Sequence, residues 1–353
     1  MARILYTVCG VGLGHCMRST PVIEELERQG HQILLSSYSI AFDFLKKKFE
    51  SSKTIQLFDI LEGSENDELL KIVMYEVPIE PKSLGKNFLK LLNNVKKFRP
   101  DIIISDFDLY SSIIGFLLDI PVILISNTHI SEYYPISLDL KDKINYSLKD
   151  RAILYSFPRI DHMILLGFVK PKSLPKKVSF FFYPLREEIT EVQVAEKNFF
   201  LAYFSEKELE KMLPLLKSFK QKKFVVFTRK KMRDTKNIRF KPLDKKEFAK
   251  DFAICKGVLS HGGITSISEA LFLKKPVYLF VKKSFFERYY NSRLVAENNF
   301  GHAEYSPTAN GLKHFFSNLK NYEKSIKKSG YAPENKKMAQ EISRLIAEYS
   351  GKE

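Results

Sequence analysis

This sequence predicts an α/β fold made of two domains, each with a parallel sheet covered by helices. Three observations predict it. Short apolar runs of strand length alternate with longer segments of helical periodicity along the chain, and that alternation lays parallel strands side by side with helices on both faces. The length, 353 residues, suits two hydrophobic cores better than one. Two glycine-rich turns, one after the first strand and one following residue 260, each stand where a strand hands over to a helix.

Residues 3–8 read as the first strand. The turn Gly10-Val11-Gly12-Leu13-Gly14-His15-Cys16-Met17-Arg18 opens a helix with Pro21 early and Ile23 and Leu26 on one face. Gly30 is its natural C-cap. Residues 31–36 and 55–58 are the next strands. Residues 84–98 make a basic amphipathic helix, with Leu84, Phe88, Leu91, Leu92 and Val95 at helical spacing, stopped by Arg99-Pro100. Buried strands follow at 101–106 and 122–126, and residues 163–166 close the sheet. Residues 167–184, rich in Lys and Pro, read as the interdomain linker plus the entry strand of the second domain. A second alternating series then runs through strands at 199–204, 224–227, 254–259 and 276–280, with a helix from Ser205 and another through 270–273. The last segment carries Met338, Ile342, Leu345 and Tyr349 on one helical face. The expected domains are residues 1–166 and 167–332, with a closing helix at 333–353.

Composition narrows the function classes. Hydrophobic residues make up 44% and charged residues 28%, as in an ordinary soluble globular protein. No apolar stretch is long enough to span a bilayer, and no cleavable signal pattern opens the chain. Cys9, Cys16 and Cys255, the three cysteines, lack metal spacing and fit a reducing cytosol. A net charge of +16, from 57 Lys+Arg against 41 Asp+Glu, points to an anionic partner. The basic residues are dispersed, at 46–48, 222–223, 229–231 and 282–283, and no nucleic-acid-binding motif accompanies them. A membrane surface is therefore expected before a nucleic acid. The bland alternative is a chain simply rich in lysine.

The stretch Ser260-His261-Gly262-Gly263-Ile264-Thr265-Ser266-Ile267-Ser268-Glu269-Ala270 carries the most chemistry. Backbone N–H groups at a helix start, the positive dipole end and glycines that admit a close approach make an anion site. Glu269 falls about one turn beyond Thr265 and Ser266. A carboxylate there repels phosphate but accepts from ribose hydroxyls, so the group suits a nucleoside diphosphate. The first glycine turn is neither the dinucleotide fingerprint, since His15 takes the third glycine position, nor a P-loop, since no Gly-Lys-Ser/Thr follows.

Together the Gly-x-Gly-x-Gly-His-x-x-Arg turn and the His-Gly-Gly-x-Thr-x-x-x-Glu-Ala segment resemble glycosyltransferases of the GT-B fold. The chain is similar to the lipid II-forming N-acetylglucosaminyltransferases of family 28 and to the UDP-glycosyltransferases. Tyr183-Pro184-Leu185-Arg186 resembles the Pro-x-Arg segment that opens their second domain. Phe286-Glu287-Arg288-Tyr289-Tyr290-Asn291-Ser292 resembles their sugar-contacting segment. The resemblance implies two Rossmann-like domains facing across a cleft, with the last helix returning to the first domain. It implies an inverting, metal-independent transfer from a nucleotide diphosphate sugar, UDP-linked, to an acceptor hydroxyl that is lipid-linked in one of these families. No cofactor is implied beyond the donor substrate, and no metal.

Site roles follow from the same resemblance. His15 is the expected base and Asp106, at a strand end, its orienting partner; the bland readings are a packing histidine and a helix cap. Gly12 and Gly14, in the first turn, are assigned to the nucleotide sugar. His261, Gly262, Gly263, Thr265 and Ser266 are assigned to the diphosphate, Glu269 to the ribose, Arg186 to phosphate charge, and the Leu243 backbone to the base. Glu287, Arg288 and Asn291 face the sugar. Arg288 departs from the Gln usual in relatives and cannot accept a hydrogen bond, which makes an anionic sugar conceivable. The Ser205-Glu206-Lys207 segment lacks the glycines of the lipid II enzymes. The expected location is cytoplasmic and peripheral on the inner membrane face. Alternatives are a nucleotide-sugar hydrolase, whose family shares a Gly-His-x-x-Arg loop, and a non-catalytic sugar-nucleotide-binding protein.

Overall fold

The computed structural model describes residues 1–10, 14–49, 54–56, 81–137, 154–283 and 286–351. The chain divides into two compact units, Met1–Pro184 with Glu334–Glu353, and Leu185–Pro333. The first unit runs β1 (Arg3–Val8), α1 (Gly14–Arg28), β2 (Gln32–Ser37), α2 (Ser39–Lys48), β3 (Thr54–Gln56), α3 (Pro81–Phe98), β4 (Ile102–Asp106), α4 (Leu109–Leu118), β5 (Val122–Ser126), α5 (Ile130–Tyr133), β6 (His162–Gly167) and β7 (Val178–Phe182). The second runs α6 (Glu187–Thr190), β8 (Phe200–Tyr203), α7 (Glu206–Ser218), β9 (Phe224–Phe227), β10 (Ile238–Lys241), α8 (Lys245–Ile254), β11 (Val258–Ser260), α9 (Ile264–Phe272), β12 (Val277–Phe280), α10 (Phe286–Glu297), β13 (Gly301–Glu304), α11 (Ala309–Ser317) and α12 (Leu319–Ser329). α13 (Asn335–Ser350) belongs to the first unit.

Every described strand pairs in parallel. The first sheet has the order β3-β2-β1-β4-β5-β6-β7 and the second β10-β9-β8-β11-β12-β13. Central strands such as β4 and β5 are buried at every position, which is why they read as unbroken apolar runs instead of alternating ones. Leu91 and Val95 of α3 and Ile114 of α4 close over Leu5, Ile103 and Val122. The second core gathers Phe200, Phe224, Phe280 and Phe315 around Leu209, Met212 and Leu259.

Local signals set several boundaries. α1 ends where Gly30 takes φ +83°; its N–H donates to the Glu27 carbonyl at 2.9 Å, and the His31 N–H reaches Leu26 at 3.2 Å. That pattern is a Schellman stop. α7 starts at a capping box in which Ser205 and Glu208 satisfy each other.

One expectation needs correction. The entry strand expected within residues 167–184 belongs to the first sheet and not to the second domain. The aromatic run at 178–182 pairs with β6, from Met163 opposite Val178 to Gly167 opposite Phe182. Ser179 Oγ lies 2.9 Å from His162 Nε2 and donates to Glu341 of α13 at 2.8 Å. These bonds hold β7 on the first sheet and move the division from 166/167 to 184/185. Gly12, residues 57–58 and the side chain of Leu84 lie outside the described residues.

Candidate active site

In the first sheet the strand order reverses between β1 and β4, and Val8 stands opposite Asp106 at their ends. Ligands of open parallel sheets gather at such reversal points. α1 brings His15, Arg18 and Ser19 there, the first two on one face through their three-residue spacing. His15 Nδ1 lies 2.8 Å from Asp106 Oδ1. Arg18 Nε donates to both carboxylate oxygens, at 3.1 and 3.0 Å, and Nη2 donates to Oδ1 as well. Ser19 Oγ donates to Oδ2, and Arg18 Nη1 donates to Asn127 Oδ1 just beyond β5. Arg18 is 2% exposed and Asp106 0%, whereas the His15 side chain is 19% exposed. Tyr183 supports the group: its ring centroid is 5.9 Å from the guanidinium carbon, and its hydroxyl donates to the Gly14 carbonyl at 3.3 Å. Phe107, at φ +55°, stacks on His15 at 6.4 Å.

Burial alone would push the Asp106 carboxyl up. Arg18 first, then His15 and the bonds from both, hold it well below the usual carboxylate range. Burial and the Arg18 charge press His15 toward neutrality, but Cys9 and Asp106 outweigh them and raise the imidazole to about 9. The cluster is an ionised Arg–Asp pair with an imidazole at its rim.

In the second sheet the order reverses between β8 and β11, whose ends pair Tyr203 with Ser260. Gly262 takes φ +85°, and a Cβ there would come within 2.9 Å of Val281 Cγ2, so conformation and space both require glycine. Gly263 is the N-cap of α9 and offers no side-chain cap. The Ile267 N–H donates to its carbonyl at 3.2 Å, so the helix ladder begins here and the positive end of the α9 dipole lies at this turn. Asn291 of α10, 2% exposed, donates to the Gly262 carbonyl at 3.2 Å and pins the turn.

His261 lies against the Tyr203 ring at 5.6 Å. Burial, then the Arg288 charge, lowers its imidazole to about 4, so the ring is neutral near pH 7. Its Nδ1 is buried without a hydrogen-bond partner among the described residues. Glu269 of α9, 2% exposed, receives Arg186 Nε at 2.8 Å. Burial pushes the Glu269 carboxyl up against the opposing pull of Arg186. The Arg186 guanidinium carbon lies 5.9 Å from the Phe248 ring, which in turn packs on Tyr203 at 5.6 Å. Arg288 Nη1 lies 3.8 Å from Glu208 Oε1. Glu287 is exposed in the first turn of α10. Leu243 is 41% exposed, immediately before the Asp244 cap of α8. Among the described residues no group of three His, Cys, Asp or Glu side chains is arranged to hold a metal.

The structure thus brings His15 to Asp106, and it links Glu269, Arg186 and His261 through Phe248 and Tyr203. Arg186 stands paired with Glu269 instead of alone, and the Asn291 amide nitrogen serves the donor-side turn. Ser19, Asn127 and Glu208 are side chains that sequence reasoning left without a role, and Arg18 was read only as part of a polar loop with His15. The spacing of Arg18 from His15 was the available signal for its place at the site.

A family model described as "Glycosyl transferase family 1" matches residues 2–320. An "Uncharacterized glycosyltransferase" of Methanosarcina mazei is 26% identical over 179 residues, 50% of this chain and 46% of that protein. One from Methanosarcina acetivorans is 25% identical over 177 residues, with the same shares of 50% and 46%. The chain spans about half the length of the curated relatives it matches. Among solved structures, spinosyn forosaminyltransferase SpnP aligns over 98% of this chain and 99% of its own, at TM-score 0.65 and 13% identity. MurG of Acinetobacter baumannii aligns over 99% and 100%, at TM-score 0.64 and 15% identity. At these identities the likeness is one of fold: two Rossmann-like α/β domains of the GT-B kind.

Proposed function

The chain belongs to glycosyl transferase family 1, and on that premise we propose that it moves a sugar from a nucleoside diphosphate sugar, uridine-linked, to an acceptor hydroxyl with inversion and without a metal. The observation that carries this reading is the uncapped start of α9 behind His261, Gly262 and Gly263, with the Arg186–Glu269 pair one turn along. The helix end and Arg186 answer the diphosphate charge; Glu269 Oε2 answers the ribose hydroxyls. Fixed dipoles and a neutral His261 stabilise the leaving diphosphate as negative charge gathers on it. On the first unit, His15 takes the proton from the acceptor hydroxyl. The acceptor oxygen attacks the anomeric carbon, and the bond to the diphosphate breaks with its electron pair.

The finer proposal concerns the acceptor. A lipid-linked hydroxyl at the inner membrane face is supported by the net charge of +16. It is supported also by exposed Leu89 of α3 and Phe116 and Leu117 of α4, 58%, 63% and 57% exposed, and by the exposed lysines of α3. No helix of the described residues is long and apolar enough to cross a membrane, so contact would be peripheral.

The experiment is donor consumption. The protein is incubated with a panel of nucleotide sugars, with and without candidate acceptors, and free nucleotide is measured. Release that depends on an acceptor supports transfer. Equal release without one makes the chain a hydrolase, and tight nucleotide binding with no release makes it a binding protein.

A further inference from the structure

His15 Nδ1 has two neighbours at hydrogen-bond distance, Asp106 Oδ1 at 2.8 Å and Arg18 Nη2 at 2.9 Å. One ring nitrogen cannot donate to the carboxylate and accept from the guanidinium at once. Either Nδ1 carries the proton and gives it to Asp106, leaving a lone pair on Nε2, or Arg18 donates to Nδ1 and Nε2 carries the proton. Only the first arrangement has a base at Nε2. The charge on Asp106 decides between them. Nε and Nη2 each give a hydrogen to Asp106, and Nη1 gives one to Asn127, which holds the carboxylate in place. Nη2 keeps a second hydrogen within reach of Nδ1, but the buried, ionised Oδ1 at 2.8 Å is the stronger partner for the ring and takes its proton as acceptor.

We propose that Arg18 is a positioning residue for His15: it fixes Asp106 so that Nδ1 donates to Oδ1, and it cancels the carboxylate charge so that the ring can lose its second proton and serve as a base. This rests on the reading of His15 as the base. A buried carboxylate beside an imidazole, with no counter-charge, locks the ring as imidazolium; Arg18 is the counter-charge. The other groups facing the cluster are Cys9, just after β1, which acts on His15, Tyr6 on β1, whose hydroxyl burial and then the Asp106 charge push up, and Tyr183 over the guanidinium. None of these supplies a positive charge, so Arg18 has no substitute there among them.

The test has two readouts. In the wild-type protein with 15N-labelled histidine, NMR across a pH titration reads the tautomer of neutral His15. A proton on Nδ1 is expected; a proton on Nε2 overturns the proposal, whatever the activity. The second readout is the pH profile of kcat/KM. Arg18→Gln is expected to move its acid limb upward by about 1–3 units, the size of a lost neighbouring charge. Arg18→Lys, which keeps the charge, moves it by a few tenths at most. Unchanged limbs in both folded variants overturn the proposal. Should Arg18→Gln fail to fold, the wild-type tautomer decides. Failure of the underlying reading is separate: it shows as full turnover in His15→Ala.

Discussion

His15 works as a base only in the molecules whose imidazole is neutral, and its raised value of about 9 makes that fraction grow with pH. Turnover is therefore expected to climb from pH 7 and level off above about 9. His15→Ala is expected to lower kcat by about 10²–10⁴-fold, the usual worth of a general base, and to leave UDP affinity unchanged. Steady-state kinetics with parallel calorimetry checks both halves, and near-normal turnover removes His15 from the mechanism. The same shift feeds stability. A histidine raised on folding stabilises fully below about 6.5, its ordinary value, and loses that contribution as pH rises through about 9. At this scale the sequence was legible where a residue type and its place after a strand coincide, as for His15, Asp106 and Glu269. Arg18 was legible as a member of the polar loop with His15 but not as the buried partner of Asp106, because an arginine is ordinarily expected at the surface. Its partner Asp106 sits 88 positions away, and only the β1–β4 pairing joins them.

The α9 start depends on the backbone of one element, so its test is a single glycine. Gly262→Ala forces a left-handed residue with a Cβ against Val281. A cost of roughly 1–2 kcal/mol in stability is expected from the conformation alone, together with weaker nucleotide binding. Thermal melts and titration of the same variant check this, and unchanged values in both remove the turn from the site. α3 gives the second test at this scale. Its apolar face is committed to the sheet through Leu91 and Val95, which leaves Lys86, Lys90, Lys96 and Lys97 exposed. Sedimentation with anionic liposomes at low salt, reduced at physiological ionic strength and weakened by reversing these four lysines to Glu, is the expected outcome. Equal recovery in the supernatant with and without liposomes argues for a soluble acceptor. The elements that sequence reasoning missed or gave to the wrong sheet are short ones. β7, β10 and β13 end the two sheets, and the sequences of β10 and β13, Ile-Arg-Phe-Lys and Gly-His-Ala-Glu, carry the polar character that sheet edges tolerate. β7 was expected as a strand within the Lys- and Pro-rich stretch, but as the entry to the second domain instead of the last strand of the first sheet.

At the scale of the whole molecule, the two-sheet architecture was legible because buried parallel strands announce themselves as apolar runs, and 353 residues hold two such series. The division between them was not, since it depends on which sheet captures residues 178–182. The central claim is that the second unit holds a nucleoside diphosphate at the start of α9, with Glu269 on the ribose. Titration calorimetry of UDP into the wild-type protein and into Glu269→Ala, with folding of both confirmed by melting, tests it most directly. Binding to the wild type, weakened by about 1.5–3 kcal/mol in the variant as for a lost charged hydrogen bond, is the expected result. No heat of UDP binding in the wild type, or equal affinity in the two folded proteins, contradicts it.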